Sequence, residues 1–216
     1  MRRYTLLLIL ILVVPSSLHA QYRNYRRDSP RDSAVERPPF AGYRYGGTIF
    51  ADQSDLFTRD VDLASSADFG AALGVPLGDT GMKIELMVSH QETELESGGG
   101  LFNPADPVAD IDVTYYHAGL LFPFARSRNA TPFVIISAGI ANLDPKVLGV
   151  TSENRFSASA GVGVKVPFNR NLGLRVEARG YYTSTGNQDD RCSRCYYDYN
   201  HDLYQGETNI GLVISF

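Results

Sequence analysis

Between Phe40 and Phe216 the chain repeats one design eight times. A segment of about ten residues alternates apolar with small or polar residues, and turn residues end it. The segments lie near Gly42–Ala51, Ala67–Val75, Met82–Gln91, Ile111–Phe122, Pro132–Asn142, Phe156–Val166, Leu172–Thr183 and Gln205–Phe216. None keeps a helical period, and a period of two puts successive side chains on opposite faces of a strand. The connections alternate as well. "PLGDTG", "PFARSRNATP" and "PFNRN" are compact and open on proline, whereas 52–66, 92–110, 143–155 and 184–204 are longer and polar. Short turns at one end and long loops at the other describe an up-and-down antiparallel sheet with both chain ends on the short-turn side.

Sorting the segments by parity separates two faces. One carries Ile84, Leu86 and Val88, Leu120 and Phe122, Val134 and Ile136, Val162 and Val164, and almost no charge. The other carries most of the glycines and a set of charges: Arg44, Asp68, Lys83, Glu85, Lys165, Arg175, Glu177, Arg179 and Glu207. A water-soluble barrel buries its apolar face. Here the small residues suit the crowded inside of a narrow barrel, and charges in "LGLRVEARGYY" are tolerable only where they pair in a lumen. The expected fold is all-β, an eight-stranded antiparallel up-and-down transmembrane β-barrel over 40–216. Tyr43, Phe122, Phe168 and Phe216 are expected to form an aromatic girdle at the short-turn end.

The ends agree with export. "MRRYTLLLILILVVPSSLHA" has a basic start, a short apolar run and a small-residue cleavage pattern, so 1–20 is expected to be a cleaved signal peptide. Residues 21–39, "QYRNYRRDSPRDSAVERPP", are Arg-rich and poor in apolar residues, as in a flexible periplasmic arm. The chain then finishes in mid-strand, with Ile210, Leu212, Ile214 and Phe216 on one face. A closing strand has no room for a tail, because an open edge in hydrocarbon leaves backbone groups unpaired.

This terminal pattern resembles the C-terminal assembly signal of bacterial outer-membrane proteins, and 40–216 resembles the small eight-stranded barrels of the OmpA/OmpX type. The resemblance implies an outer-membrane location, transient delivery to the barrel-assembly machinery, and lipid and lipopolysaccharide as neighbours. Nothing after Phe216 matches the peptidoglycan-binding domain of full OmpA-type proteins, so that domain is expected to be absent.

Few residues suggest chemistry. Ser89 and His90 are strand neighbours and point to opposite faces, so His90 does not activate Ser89. His117 reads as an interior, hydrogen-bonded histidine without the partners of a metal site. Cys192 and Cys195 form a C-x-x-C in an exported chain, which favours a disulfide over a redox pair or half a zinc site. Asp198–Asp202 matches the first ligands of a calcium loop, but the glycine and closing glutamate are missing, which favours a plain acidic surface loop. No cofactor and no metal are expected. A net charge of −4 argues against a nucleic-acid partner. The expected role is structural or interactive, not enzymatic: a barrel anchoring surface loops for adhesion, resistance or envelope integrity, with a possible surface ligand on the loops. A narrow pore for small solutes is the alternative and a lipid A-modifying enzyme the third reading.

Overall fold

The computed structural model describes residues 34–51, 60–78, 81–97, 106–124, 130–147, 149, 151–184 and 202–216. Ten strands run in chain order: β1 Pro39–Tyr45, β2 Thr48–Ala51, β3 Asp60–Leu63, β4 Ser66–Pro76, β5 Lys83–Ser97, β6 Asp106–Pro123, β7 Thr131–Pro145, β8 Glu153–Pro167, β9 Leu172–Ser184 and β10 Asp202–Ile214. β1 with β2 makes the first stave and β3 with β4 the second, so ten strands build eight staves. Every neighbouring pair is antiparallel, and β1 pairs with β10 to close the barrel. The first stave breaks at Gly46–Gly47. There it passes so close to its neighbour that a Cβ on Gly46 would fall 1.7 Å from the Leu63 carbonyl oxygen, which admits only glycine.

The faces are inverted relative to a soluble barrel. Phe69, Leu86, Ile136, Val162 and Ile210 are each at least half exposed on the outside, while Arg44, Asp68, Glu177 and Glu207 are at most 2% exposed within. Such an outer surface is stable only against hydrocarbon.

Three features depart from the sequence-based expectation. First, the outer ends of the strands run further: β6 has 18 residues, β5, β7 and β8 have 15 each, and β3 lies inside the expected loop 52–66. About ten residues span the hydrocarbon, so these staves rise roughly 10 Å or more beyond it. Second, residues before β1, assigned from sequence to the arm, extend the first stave. The Glu36 and Gly74 backbones exchange hydrogen bonds at 2.9 and 2.8 Å, and the Phe216 amide donates to the Val35 carbonyl at 3.1 Å. Third, Tyr43 is not on the short-turn rim. It pairs with Ala67 and Thr208, and its hydroxyl donates to the Ser65 carbonyl, toward the long-loop end. The exposed aromatics of the short-turn end are Phe124, Phe168 and Phe216.

Candidate functional site

The interior is layered, and each layer follows from the inward parity of its strands. Nearest the long loops the inward side chains are apolar: Leu63, Ile111, Val113, Leu143 and Leu203 are at most 9% exposed and belong to one packed cluster. The outward side chains at the same height are polar, and the strand register sets them in rows. Val88, Tyr116 and Ile140 lie side by side on β5, β6 and β7; one step up come His90, Thr114 and Asn142, and then Glu92, Asp112 and Asp144. The Lys146 ammonium sits 2.7 Å from Asp112 and 2.8 Å from Asp144. Hydrogen bonds to those two carboxylates raise its pKa above the ordinary 10.5. So the barrel is charged inside and apolar outside in its lower part, and above it the inside is apolar and the outside, along β5, β6 and β7, is acidic.

Below the apolar layer Arg44 crosses the lumen. Its guanidinium lies 2.7 Å from Glu207, 3.7 Å from Asp68, and 4.8 and 5.2 Å from the ring centres of Tyr115 and Tyr181, which stack at 4.4 Å. It also donates to Ser89. The Tyr181 hydroxyl and the Asn209 amide both donate to Glu207, at 3.0 and 2.7 Å. On the opposite wall His117 Nδ1 lies 3.0 Å from Ser137 Oγ.

The next layer joins four charged side chains. Arg175 donates to Glu85 at 3.0 Å and to Glu177 at 2.8 Å; Arg179 donates to Glu177 at 2.6 Å and to Glu85 at 3.2 Å. Arg175 also lies 4.8 Å from the ring centre of Phe133. That ring has room because position 163 is glycine: a Cβ there would fall 2.4 Å from a Phe133 ring carbon. At the short-turn mouth Lys83 and Lys165 both reach Glu36, Lys83 at 2.8 Å.

All nine charged residues assigned from sequence to the inner face therefore lie in the lumen, and the contacts above join them in three groups. The residue that sequence reasoning missed is Glu36. Five inward cations, Arg44, Lys83, Lys165, Arg175 and Arg179, were set against four acids, Asp68, Glu85, Glu177 and Glu207. The missing fifth acid comes from before β1. That imbalance was a readable signal, since a desolvated lumen strands few unpaired charges. Ser89 is buried on Arg44 and Asp68, while His90 points outward to Thr114 at 2.8 Å and to the Phe69 ring. Cys192, Cys195 and most of Asp198–Asp202 lie outside the described residues.

A family model described as "Outer membrane protein beta-barrel domain" matches residues 33–216. The chain belongs to this family. It is an eight-stranded barrel of the Gram-negative bacterial outer membrane, and the apolar outer surface is its lipid-facing belt. No curated protein matches it by sequence. Among solved structures it is similar to the Neisserial surface protein A, at 12% identity with a TM-score of 0.56 over 85% of this chain and 97% of that one. It is also similar to OprG of Pseudomonas aeruginosa, at 12% identity with a TM-score of 0.54 over 85% and 96%. A third similar structure is AlkL, determined in lipid bilayers, at 11% identity with a TM-score of 0.53 over 90% and 96%. At these identities the likeness is one of fold.

Proposed function

We propose that this barrel works at its outer rim, as an anchor that presents its raised staves and long loops at the cell surface, and that its lumen is not a solute path. The carrying observation is the filled interior. Apolar side chains, the Arg44–Tyr115–Tyr181 stack, the Arg175–Arg179 network and the Glu36–lysine tie succeed one another from the outer end to the periplasmic end. An eight-stranded barrel has an interior only wide enough for side chains to fill. The role is non-catalytic, serving adhesion, resistance or envelope integrity. The loop ligand is met by a rim whose outward side chains are acidic on β5, β6 and β7. The Cys192–Cys195 disulfide belongs to the same reading, as a local constraint on the last long loop.

Export follows a cleaved signal peptide, and Ile210, Leu212, Ile214 and Phe216 serve as the signal for the assembly machinery. Lipopolysaccharide surrounds the upper belt. The experiment is two-sided. Purified protein is placed in planar bilayers, and intact cells are treated with protease. A sealed barrel with surface loops gives no steady porin-sized current and loses its loops to protease. A stable large conductance would replace this reading with the pore.

A further inference from the structure

Among the described residues, Glu36 is the only carboxylate in ion-pair contact with Lys83 or Lys165. The arginines above it are engaged elsewhere, since Arg175 and Arg179 share Glu85 and Glu177. Lys83 also donates to the Ala34 carbonyl at 2.9 Å. Two ammonium groups, that of Lys83 buried and that of Lys165 partly so, converge on one carboxylate and make a compact oxyanion site, here filled by the chain's own side chain.

The segment that supplies the carboxylate is set off from the rest of the first stave by two prolines, of which Pro38 accepts from the Ala72 amide at 3.0 Å. Pro38 and Pro39 have no N–H, so the first stave gives β10 no backbone donor between Arg37 and Phe40. Beyond the prolines four backbone bonds hold Val35–Arg37: the two between Glu36 and Gly74, Arg37 N–H to Ile214 at 2.9 Å, and Phe216 N–H to Val35. A short stretch past two prolines, at the start of the first stave, opens at lower cost than the long ladders beside it.

We propose that Lys83 and Lys165 form an oxyanion-binding site at the periplasmic mouth of the lumen, and that Val35–Arg37 is a strap that closes it with Glu36 as the resident, displaceable carboxylate. The ligand class is a small carboxylate or phosphate. With the strap open, two ammonium groups face the periplasm with no carboxylate in ion-pair contact among the described residues, and Lys165 keeps only the Phe133 ring, 5.4 Å away.

The test uses the full chain refolded in detergent micelles, with folding checked by heat modifiability. Lysines are acetylated with a membrane-impermeant ester and read residue by residue by mass spectrometry. Glu36→Gln is expected to raise labelling of Lys83 and Lys165 by about tenfold, with Lys146 unchanged as the internal control. In Glu36→Ala, which leaves space for a ligand, acetate and phosphate are tried separately against chloride at equal ionic strength. Restored protection by either supports the site and tells carboxylate from phosphate. Unchanged labelling in Glu36→Gln, or no more protection by either oxyanion than by chloride, overturns it. Should both variants fail to fold, wild-type amide exchange decides. Glu36, Arg37, Gly74 and Phe216 must exchange faster than the amides of β1 between Phe40 and Tyr45, and faster still in phosphate. Equal rates overturn the strap.

Discussion

Glu177 accepts from both Arg175 and Arg179 while itself only 2% exposed. Removing it leaves two guanidinium groups sharing Glu85. Breaking a buried pair from one side costs about 3–5 kcal/mol, less where water enters. Glu177→Ala is therefore expected to lower the unfolding free energy of the barrel by that order and to bring down its urea midpoint, read by loss of the heat-modifiable band. Lys146 behaves differently because it is a rim group. Its folded pKa lies above its ordinary 10.5, so whatever stability its ties to Asp112 and Asp144 supply is complete below that value. It is lost only as the pH climbs through the higher folded value. Unfolding midpoints of wild type and Lys146→Met should differ by a constant small amount through neutral pH and converge only in strong alkali. A difference that vanishes near neutrality would show that the ties do not form. At this scale the sequence was legible wherever parity alone decides direction, as for Arg175, Glu177 and Arg179. It was silent on partners, because contacts such as Arg44 with Tyr115 and Tyr181 link strands far apart in the chain.

Strand β5 alone shows how one element serves three surroundings. Outward, Ile84, Leu86 and Val88 give way to His90, Glu92 and Glu94; inward, Lys83, Glu85, Ser89 and Gln91 give way to Thr93 and Leu95. Leu86→Lys is expected to cost about 2–4 kcal/mol, because it places a charge on the lipid face, and to reduce the folded, membrane-inserted fraction. Glu94→Lys, four strand steps further out on the same face, should leave that fraction unchanged. Equal losses from the two would move the edge of the belt. β10 carries the other element-scale prediction. Just past it the Phe216 amide donates to the Val35 carbonyl, the Phe216 ring lies 5.5 Å from the Arg37 guanidinium, and the residue stays 62% exposed. Deleting Phe216 should leave the chain in the periplasm; normal outer-membrane levels of a heat-modifiable deletion mutant would sink the assembly reading. The alternating period located all eight staves. Their outer ends run past the expected bounds, as in "SHQETELES", where the period of two continues to Ser97 after the apolar residues have changed sides. On β5 the apolar outward face stops at Val88, and the hydrogen bonding to β6 does not stop there.

For the whole molecule, the filled lumen and the belt together predict a barrel that melts as one unit and passes no steady current. The closing of the first stave on β10 leaves no free edge to start unravelling. The exchange of inside and outside along β5, β6 and β7 has a mechanical consequence. Sliding the barrel inward draws the Glu92–Asp112–Asp144 row into hydrocarbon, and sliding it outward exposes Ile136 and Leu86 to water. Both displacements are opposed, so the molecule carries its own depth gauge and tolerates one membrane thickness. Refolding into vesicles of lengthening acyl chain should hold steady until the bilayer core exceeds the belt and then fall sharply, since a rigid closed wall cannot stretch to hide the mismatch.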